Sequence, residues 1–126
     1  MKATFLTAGA LAVGAIAGAM AVQTLHAQAT PPTYFVADIS DISDPDYLKK
    51  IPDLAKVVAS FGGKFIIRGA TITPLLGAPP KRFAVAAFES LAKAQEWYNS
   101  PAQQEMQIII GKATTQRRFF VEGVAP

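Results

Sequence analysis

"RFAVAAF", Arg82 to Phe88, is seven residues long, six of them apolar, with no turn former inside. Side chains alternate along an extended chain, so Phe83, Val85 and Ala87 share one side and Ala84, Ala86 and Phe88 the other. Both sides are apolar. "TYFVADI", Thr33 to Ile39, behaves alike, with Phe35, Ala37 and Ile39 against Tyr34 and Val36. A sheet of such strands needs a cover on each face, whereas the helices of one small domain cover a single face.

Outward from these strands, "KFIIRGA" (residues 64–70) reads as a further strand, joined to Arg82–Phe88 by "TITPLLGAPPK", whose Gly-Ala-Pro-Pro tip is turn chemistry. "RRFFVEG", Arg117 to Gly123, is the last strand. Between strands one and two, "SDPDYLKKIPDLAKVVASFGG" predicts a helix, with Asp44 as N-cap, Pro45 at its first position and Gly62-Gly63 as its stop. Tyr47, Leu48, Ile51, Leu54, Ala55, Val58 and Phe61 fall on one face of it. Pro52 lacks an N–H and crowds the preceding turn, so a kink or a two-piece helix is expected there. "SLAKAQEWYN" predicts a second helix capped by Ser90, with Leu91, Ala94, Trp97 and Tyr98 within one arc. Ser100-Pro101-Ala102-Gln103 has the form of a capping box, starting a short helix from Pro101 to about Gly111; "IIIG" (Ile108 to Gly111) could itself be extended. The order is β-α-β-β-α-β with an extra short helix, an α+β arrangement of ferredoxin-like type. Two helices cover one face of its antiparallel sheet. The other face, assigned Tyr34, Val36, Ala84, Ala86 and Phe120, is expected to be covered by a two-fold related copy, giving a homodimer.

Composition bounds the chemistry. The chain has 126 residues, 51% hydrophobic, and the first thirty carry much of the excess. Lys2 is followed by "LTAGALAVGAIAGAMAV", uncharged and rich in Ala and Gly, and Ala27-Gln28-Ala29 fits a small-x-small cleavage pattern. Residues 1–29 are expected to be a cleaved secretory signal, cut after Ala29 or, second, after Ala27. Residues 30–33 form a proline-rich lead and 34–126 the folded domain. A retained anchor is the competing reading, because the run approaches spanning length; its Ala and Gly make it a weak span. With no cysteine and no twin arginine, the ordinary route to a bacterial periplasm or exterior is expected.

Beyond residue 29 there remain eleven basic and nine acidic side chains, and neither histidine nor cysteine. A Ser-His-Asp triad, a cysteine nucleophile, a histidine-ligated haem and an ordinary zinc site are thereby excluded. No metal or cofactor is expected. Nor is nucleic acid a partner, because nothing forms a basic stripe and Arg117 and Arg118 would point to opposite faces of a strand.

"YFVADI", "DPDYL", "GGKFIIRG", Arg82, "AQEWYNSP" and "VEG" together resemble the 1330 family of domains of unknown function, within the dimeric α+β-barrel superfamily. The resemblance spans Tyr34 to Gly123. It implies a sheet-to-sheet dimer and no established reaction, although the superfamily includes cofactor-free monooxygenases, isomerases and haem enzymes. The family pattern often has a tyrosine where this chain has Gln103 and an arginine near Ile110. If those positions line a family pocket, two polar groups have been replaced here.

Alternation places Asp38 beside Tyr34 and Val36, and Arg68 (with Ile66) and Glu122 (with Phe120) are candidates for the same side. Three charged groups on an apolar face need partners or a ligand. They would form a polar pocket inside the barrel or a salt-bridge cluster at its rim. Trp97, Tyr98 and Tyr47 could wall a ligand slot or pack helix on sheet. Arg82, after Lys81 at a hairpin end, could recognise an acid or stay solvated. Gly62-Gly63-Lys64 follows a helix and lacks the rest of a phosphate loop. The ligand-binding candidates are thus Tyr34, Asp38, Tyr47, Arg68, Arg82, Trp97, Tyr98 and Glu122. Two functions fit: an exported dimer that binds a small organic molecule, or a cofactor-independent enzyme with Asp38 or Glu122 as base and Arg68 or Arg82 stabilising an anion.

Overall fold

Trp97 sits at the centre of the packing, 1% exposed, with its ring 4.9 Å from Phe35 and 5.2 Å from Phe88. Its surroundings are described by a computed structural model covering residues 30–69 and 71–126. The expected signal at residues 1–29 lies outside the described residues. Strands β1 (Thr33–Ile42), β2 (Lys64–Gly69), β3 (Arg82–Phe88) and β4 (Thr114–Glu122) form one sheet in the order β2-β3-β1-β4, every neighbouring pair antiparallel. This is the ferredoxin-like order. The helices are α1 (Pro45–Leu48), α2 (Leu54–Ser60), α3 (Leu91–Tyr98) and α4 (Pro101–Ala113).

Local chemistry explains the breaks. Asp44 accepts from the Tyr47 N–H at 2.9 Å and Pro45 opens α1, but the helix stops at Leu48, short of Pro52. Asp53 then caps α2, accepting from Ala55 N at 3.1 Å and Lys56 N at 3.4 Å. The long helix is therefore two pieces, as the proline predicts. Gly62 ends α2 with φ +77°, and at Gly63 an added methyl would lie 2.8 Å from Val58 Cγ1 and overlap the Phe88 ring. That turn needs both glycines. Ser90 caps α3 through Lys93 N at 3.2 Å. Ser100 caps α4 through Gln103 N at 3.3 Å while its hydroxyl donates to Trp97 O at 2.7 Å. The capping box is half realised, because the Ser100 N–H donates to Trp97 O rather than to Gln103. Ile108 to Gly111 are helical, so α4 runs on to Ala113 and β4 starts three residues before Arg117.

Residues paired directly across strands share a face, so the register assigns sides. Phe65, Ala86, Phe35 and Phe120 form a row across all four strands, followed by Arg68, Ala84, Ala37 and Arg118, then Arg82, Ile39 and Gln116. The helices lie on this face, where Val58, Ala94 and Trp97 pack on Phe35, Ala37, Ala86 and Phe88. Opposite are the rows Lys64, Ala87, Tyr34, Val121, then Ile67, Val85, Val36, Phe119, then Gly69, Phe83, Asp38, Arg117. No described helix packs there.

Three sequence expectations change. Ala84, Ala86 and Phe120, assigned above to the uncovered face, are under the helices instead. Parity within a strand is legible in sequence, but which parity faces which layer depends on pairing register. Ala55 and Leu91 are exposed, and Val57 takes a place in the α2 contact. Arg68 is moved across the sheet by a bulge: the β2–β3 register shifts between Phe65 and Ile67, so Phe65 and Arg68 share the helix face and Ile67 the other. The Arg68 guanidinium accordingly stands 4.8 Å from the centre of the Phe65 ring.

Truncating Trp97 to alanine removes the contact on which α3 rests. A loss of about 3–5 kcal/mol is expected, a large share of a small domain's stability. Urea denaturation followed by circular dichroism measures it, and a near-unchanged midpoint would contradict this packing.

Candidate functional site

The second row of the helix face has a peculiarity. Its two central positions are Ala37 and Ala84, its outer two Arg68 and Arg118. Strands lie about 4.8 Å apart, so the two arginine Cα atoms are about 14 Å apart, with methyl groups alone between them. Above this floor the chain leaves a cavity of about 560 Å³. The segment broken at Pro52 forms one wall, through Leu48, Ile51 and Leu54, and α4 forms another, through Gln103, Gln107 and Ile110. The two walls are tied at one end, where Ser43 N and Asp44 N donate to Ala113 O at 2.8 and 3.3 Å.

Among the described residues, four buried side-chain polar atoms find no hydrogen-bond partner: Trp97 Nε1, Gln103 Oε1, Gln107 Oε1 and Arg118 Nη1. All four residues line this one cavity. Buried polar atoms are ordinarily paired, and an orphan costs about 1–3 kcal/mol, so four of them on residues that border one space mark it as a candidate site. Charge is equally one-sided. Arg68, Arg82 and Arg118 border the cavity against a single lining carboxylate, Asp53, whose Oδ1 already accepts from the α2 N-terminus. No carboxylate among the described residues lies within ion-pair distance of those arginines.

The sequence candidates divide accordingly. Trp97, Arg68 and Arg82 line the cavity. Tyr98 packs at the edge of the aromatic cluster, its ring 5.9 Å from Phe120 and 6.1 Å from Phe35. Tyr47 stands beside Lys50, whose Nζ is 4.6 Å from the ring centre. Tyr34 is on the opposite face, in contact range of Gly123. Asp38 is there too, and accepts from Arg117 Nη2 at 2.7 Å. Glu122 is exposed at the far end of β4, opposite Thr33. By register Asp38 is across the sheet from Arg68 and Glu122, because of the bulge, although Arg68 also borders the hollow on Asp38's face. A hollow does lie on Asp38's face, bordered by Ile67, Phe83 and Pro80. It is shallower, holds no orphaned polar atom, and its carboxylate is already paired.

Sequence reading missed Gln107 and Arg118 as site residues. The available signal was spacing: Gln103 and Gln107 are four apart on the α4 face that also carries Met106 and Ile110, and polar groups on an apolar face are the informative exceptions. Gln103 and Ile110, the two positions that depart from the family pattern, both line the cavity. Among the described residues no group of His, Cys, Asp or Glu could hold a metal ion.

The fold and this arrangement define a ferredoxin-like α+β domain with a cavity between its helices and its sheet. The chain belongs to the DUF1330 family, a domain of unknown function, which it matches over residues 32–124. A protein of unknown function from Rhodopseudomonas palustris is 17% identical, with a TM-score of 0.55 over 77% of this chain and 85% of that one. The methylated form of that protein gives 0.57 at 17% identity, over 77% and 84%. A cofactor-independent oxygenase from Streptomyces nogalater is 13% identical, with a TM-score of 0.48 over 72% and 91%. The first two share the fold. No curated protein matches the chain.

If the Gln103 carbonyl is held without a protein partner, replacing it by an apolar side chain of similar length should help the unliganded protein. Gln103→Leu is expected to raise unfolding free energy by about 1 kcal/mol. Urea titration tests this, and a drop in stability would mean that the amide is satisfied in solution.

Proposed function

We propose that the chain is an exported, homodimeric binding protein that holds a small organic molecule in the cavity between helices and sheet. The observation that carries it is that four residues with unpaired buried polar atoms, from α3, α4 and β4, border one mainly apolar space. The cavity volume falls within the roughly 300–1,000 Å³ of small-molecule sites. Binding is favoured over turnover because the lining carboxylate, Asp53, is committed to a helix cap, and the two candidate bases, Asp38 and Glu122, lie elsewhere.

Homodimerisation is supported by the second sheet face. Ile67, Phe119 and Val121 are each close to half exposed there, flanking Val36 and Val85, and Leu75 and Leu76 at the tip of the β2–β3 loop are 98% exposed. Apolar surface of this kind marks an interaction site, and a self-complementary sheet face is closed by a two-fold copy without another protein. Export is supported by the uncharged Ala/Gly run ending at Ala27-Gln28-Ala29. It places the mature chain in a bacterial periplasm or outside the cell.

Native mass spectrometry of the protein recovered from the periplasm tests all three parts together: an N-terminus near Thr30, a dimer mass, and an added small-molecule mass lost on denaturation. An intact Met1 in the membrane fraction would overturn export, and a bare polypeptide mass would count against the ligand. For the dimer, Phe119→Asp puts a charge at the β4 end of the apolar row. Sedimentation at micromolar concentration should show a dimer for the natural chain and a folded monomer for the variant. Ala86 is unsuited to this test, because it is 0% exposed beneath α3 and a charge there would break the core.

A further inference from the structure

The electrostatics of the cavity narrow the ligand to a chemical class, on the premise that the cavity is a binding site. We propose that it takes a small organic carboxylate, with its acid group on Arg118 and its apolar body against the Phe35, Ala37 and Ala84 floor. A guanidinium keeps its charge at any physiological pH, so the cost of burying one is relieved only by an anion or by good hydrogen-bond acceptors. Arg118 Nη1 is buried and has no acceptor in the protein. Its row partner at the far end of the floor, Arg68, and Arg82 from the next row add positive potential to the same space.

Contrast with the opposite face separates function from packing. There the neighbouring arginine, Arg117, meets Asp38 at 2.7 Å across the β1–β4 pair. One residue later on the same strand, the position opposite Arg118 is Ala37, which offers no acceptor. A carboxylate is thus supplied by the chain where the arginine is 81% exposed, and is not supplied where the guanidinium is partly buried. The ligand fills that role. Planar two-point pairing of guanidinium with carboxylate is the geometry an arginine provides and a lysine does not. The remaining orphans set the substituents. The amides of Gln103 and Gln107, whose oxygens are unpaired in the protein, turn about their side-chain bonds to meet a hydroxyl or N–H on the ligand. Leu48, Ile51, Leu54 and Ile110 exclude a ligand that is polar throughout. The class is therefore a compact hydroxylated or amino-substituted acid with an apolar core.

Trp97, the single tryptophan, lines the cavity and makes its own fluorescence the reporter. The probes are benzoate, 4-hydroxybenzoate and 4-hydroxyphenylacetate, each beside its neutral carboxamide, titrated into the full mature chain at constant ionic strength. The acids are expected to bind at least about tenfold tighter than their amides, the hydroxylated acids tighter than benzoate. Arg118→Gln should abolish the preference for acid over amide, while Arg118→Lys keeps part of it; circular dichroism confirms that both are folded. Arg117→Gln, on the opposite face, should leave the preference intact. Equal or tighter binding of the amides, quenching Trp97, would overturn the carboxylate assignment while the binding site stands. No response from any probe would overturn the assignment and remove support from the site as well. An acid preference that survives Arg118→Gln would also overturn it.

Discussion

The distance between α3 and the sheet is set by the indole of Trp97, wedged edge-on against Phe35 and inclined over Phe88. Everything else on that face adjusts to it. The aromatic row Phe65, Phe35, Phe120 fills the space beneath the indole, with Tyr98 closing one side. One row further along the strands the side chains shrink to Ala37 and Ala84 while the helix layer keeps its height. Protein interiors are packed at crystal-like density, so a step down in side-chain size under a fixed roof leaves a void unless something fills it. The cavity is thus a geometrical product of a large residue in one layer and two methyl groups in the next.

The two faces of the sheet solve opposite problems with similar materials. On one, the central row is Ile67, Val85, Val36 and Phe119, and its neighbouring charges neutralise each other through Asp38 and Arg117. Such a surface is suited to meeting its own image, because the charges beside its apolar centre are already paired. On the other, arginines stand without carboxylates and amides without donors. A surface of that kind is poorly suited to bury against protein, and well suited to select a small anion from water.

Much of the fold was legible from short-range chemistry. Asp44-Pro45, Ser90, Ser100-Pro101 and Gly62-Gly63 each declare a helix end through an interaction spanning a few residues, and Pro52 declares the break between α1 and α2. Strand order followed from the alternation of elements. What could not be read was which apolar side of each strand meets the helices, since Ala84 and Phe83 look equally suited to a core until the partner strand is placed. The site suffered most from this. Asp38 and Arg68 were matched by counting, and one bulged residue in β2 put them on opposite faces. Gln107 and Arg118 went unnoticed because each is unremarkable alone; only the fold shows that they share a space with Trp97 and Gln103.

The bulge in β2 also affects how this family changes over time. Insertions and deletions are usually harmless in loops and ruinous inside strands. Here a strand holds one extra residue near Ile66, so loss of that residue would leave Phe65, Ile67 and Arg68 opposite Ala86, Val85 and Ala84, with their side chains on the present faces. Straightening the strand with every residue retained would instead set Ile67 opposite Ala84 and Arg68 opposite Phe83, so that Arg68 changed face. A single codon lost at that point would therefore remove the bulge and keep the side-chain pattern of β2. Relatives one residue shorter at this point are therefore expected to keep the equivalent of Arg68 over the alanines, on a straighter strand.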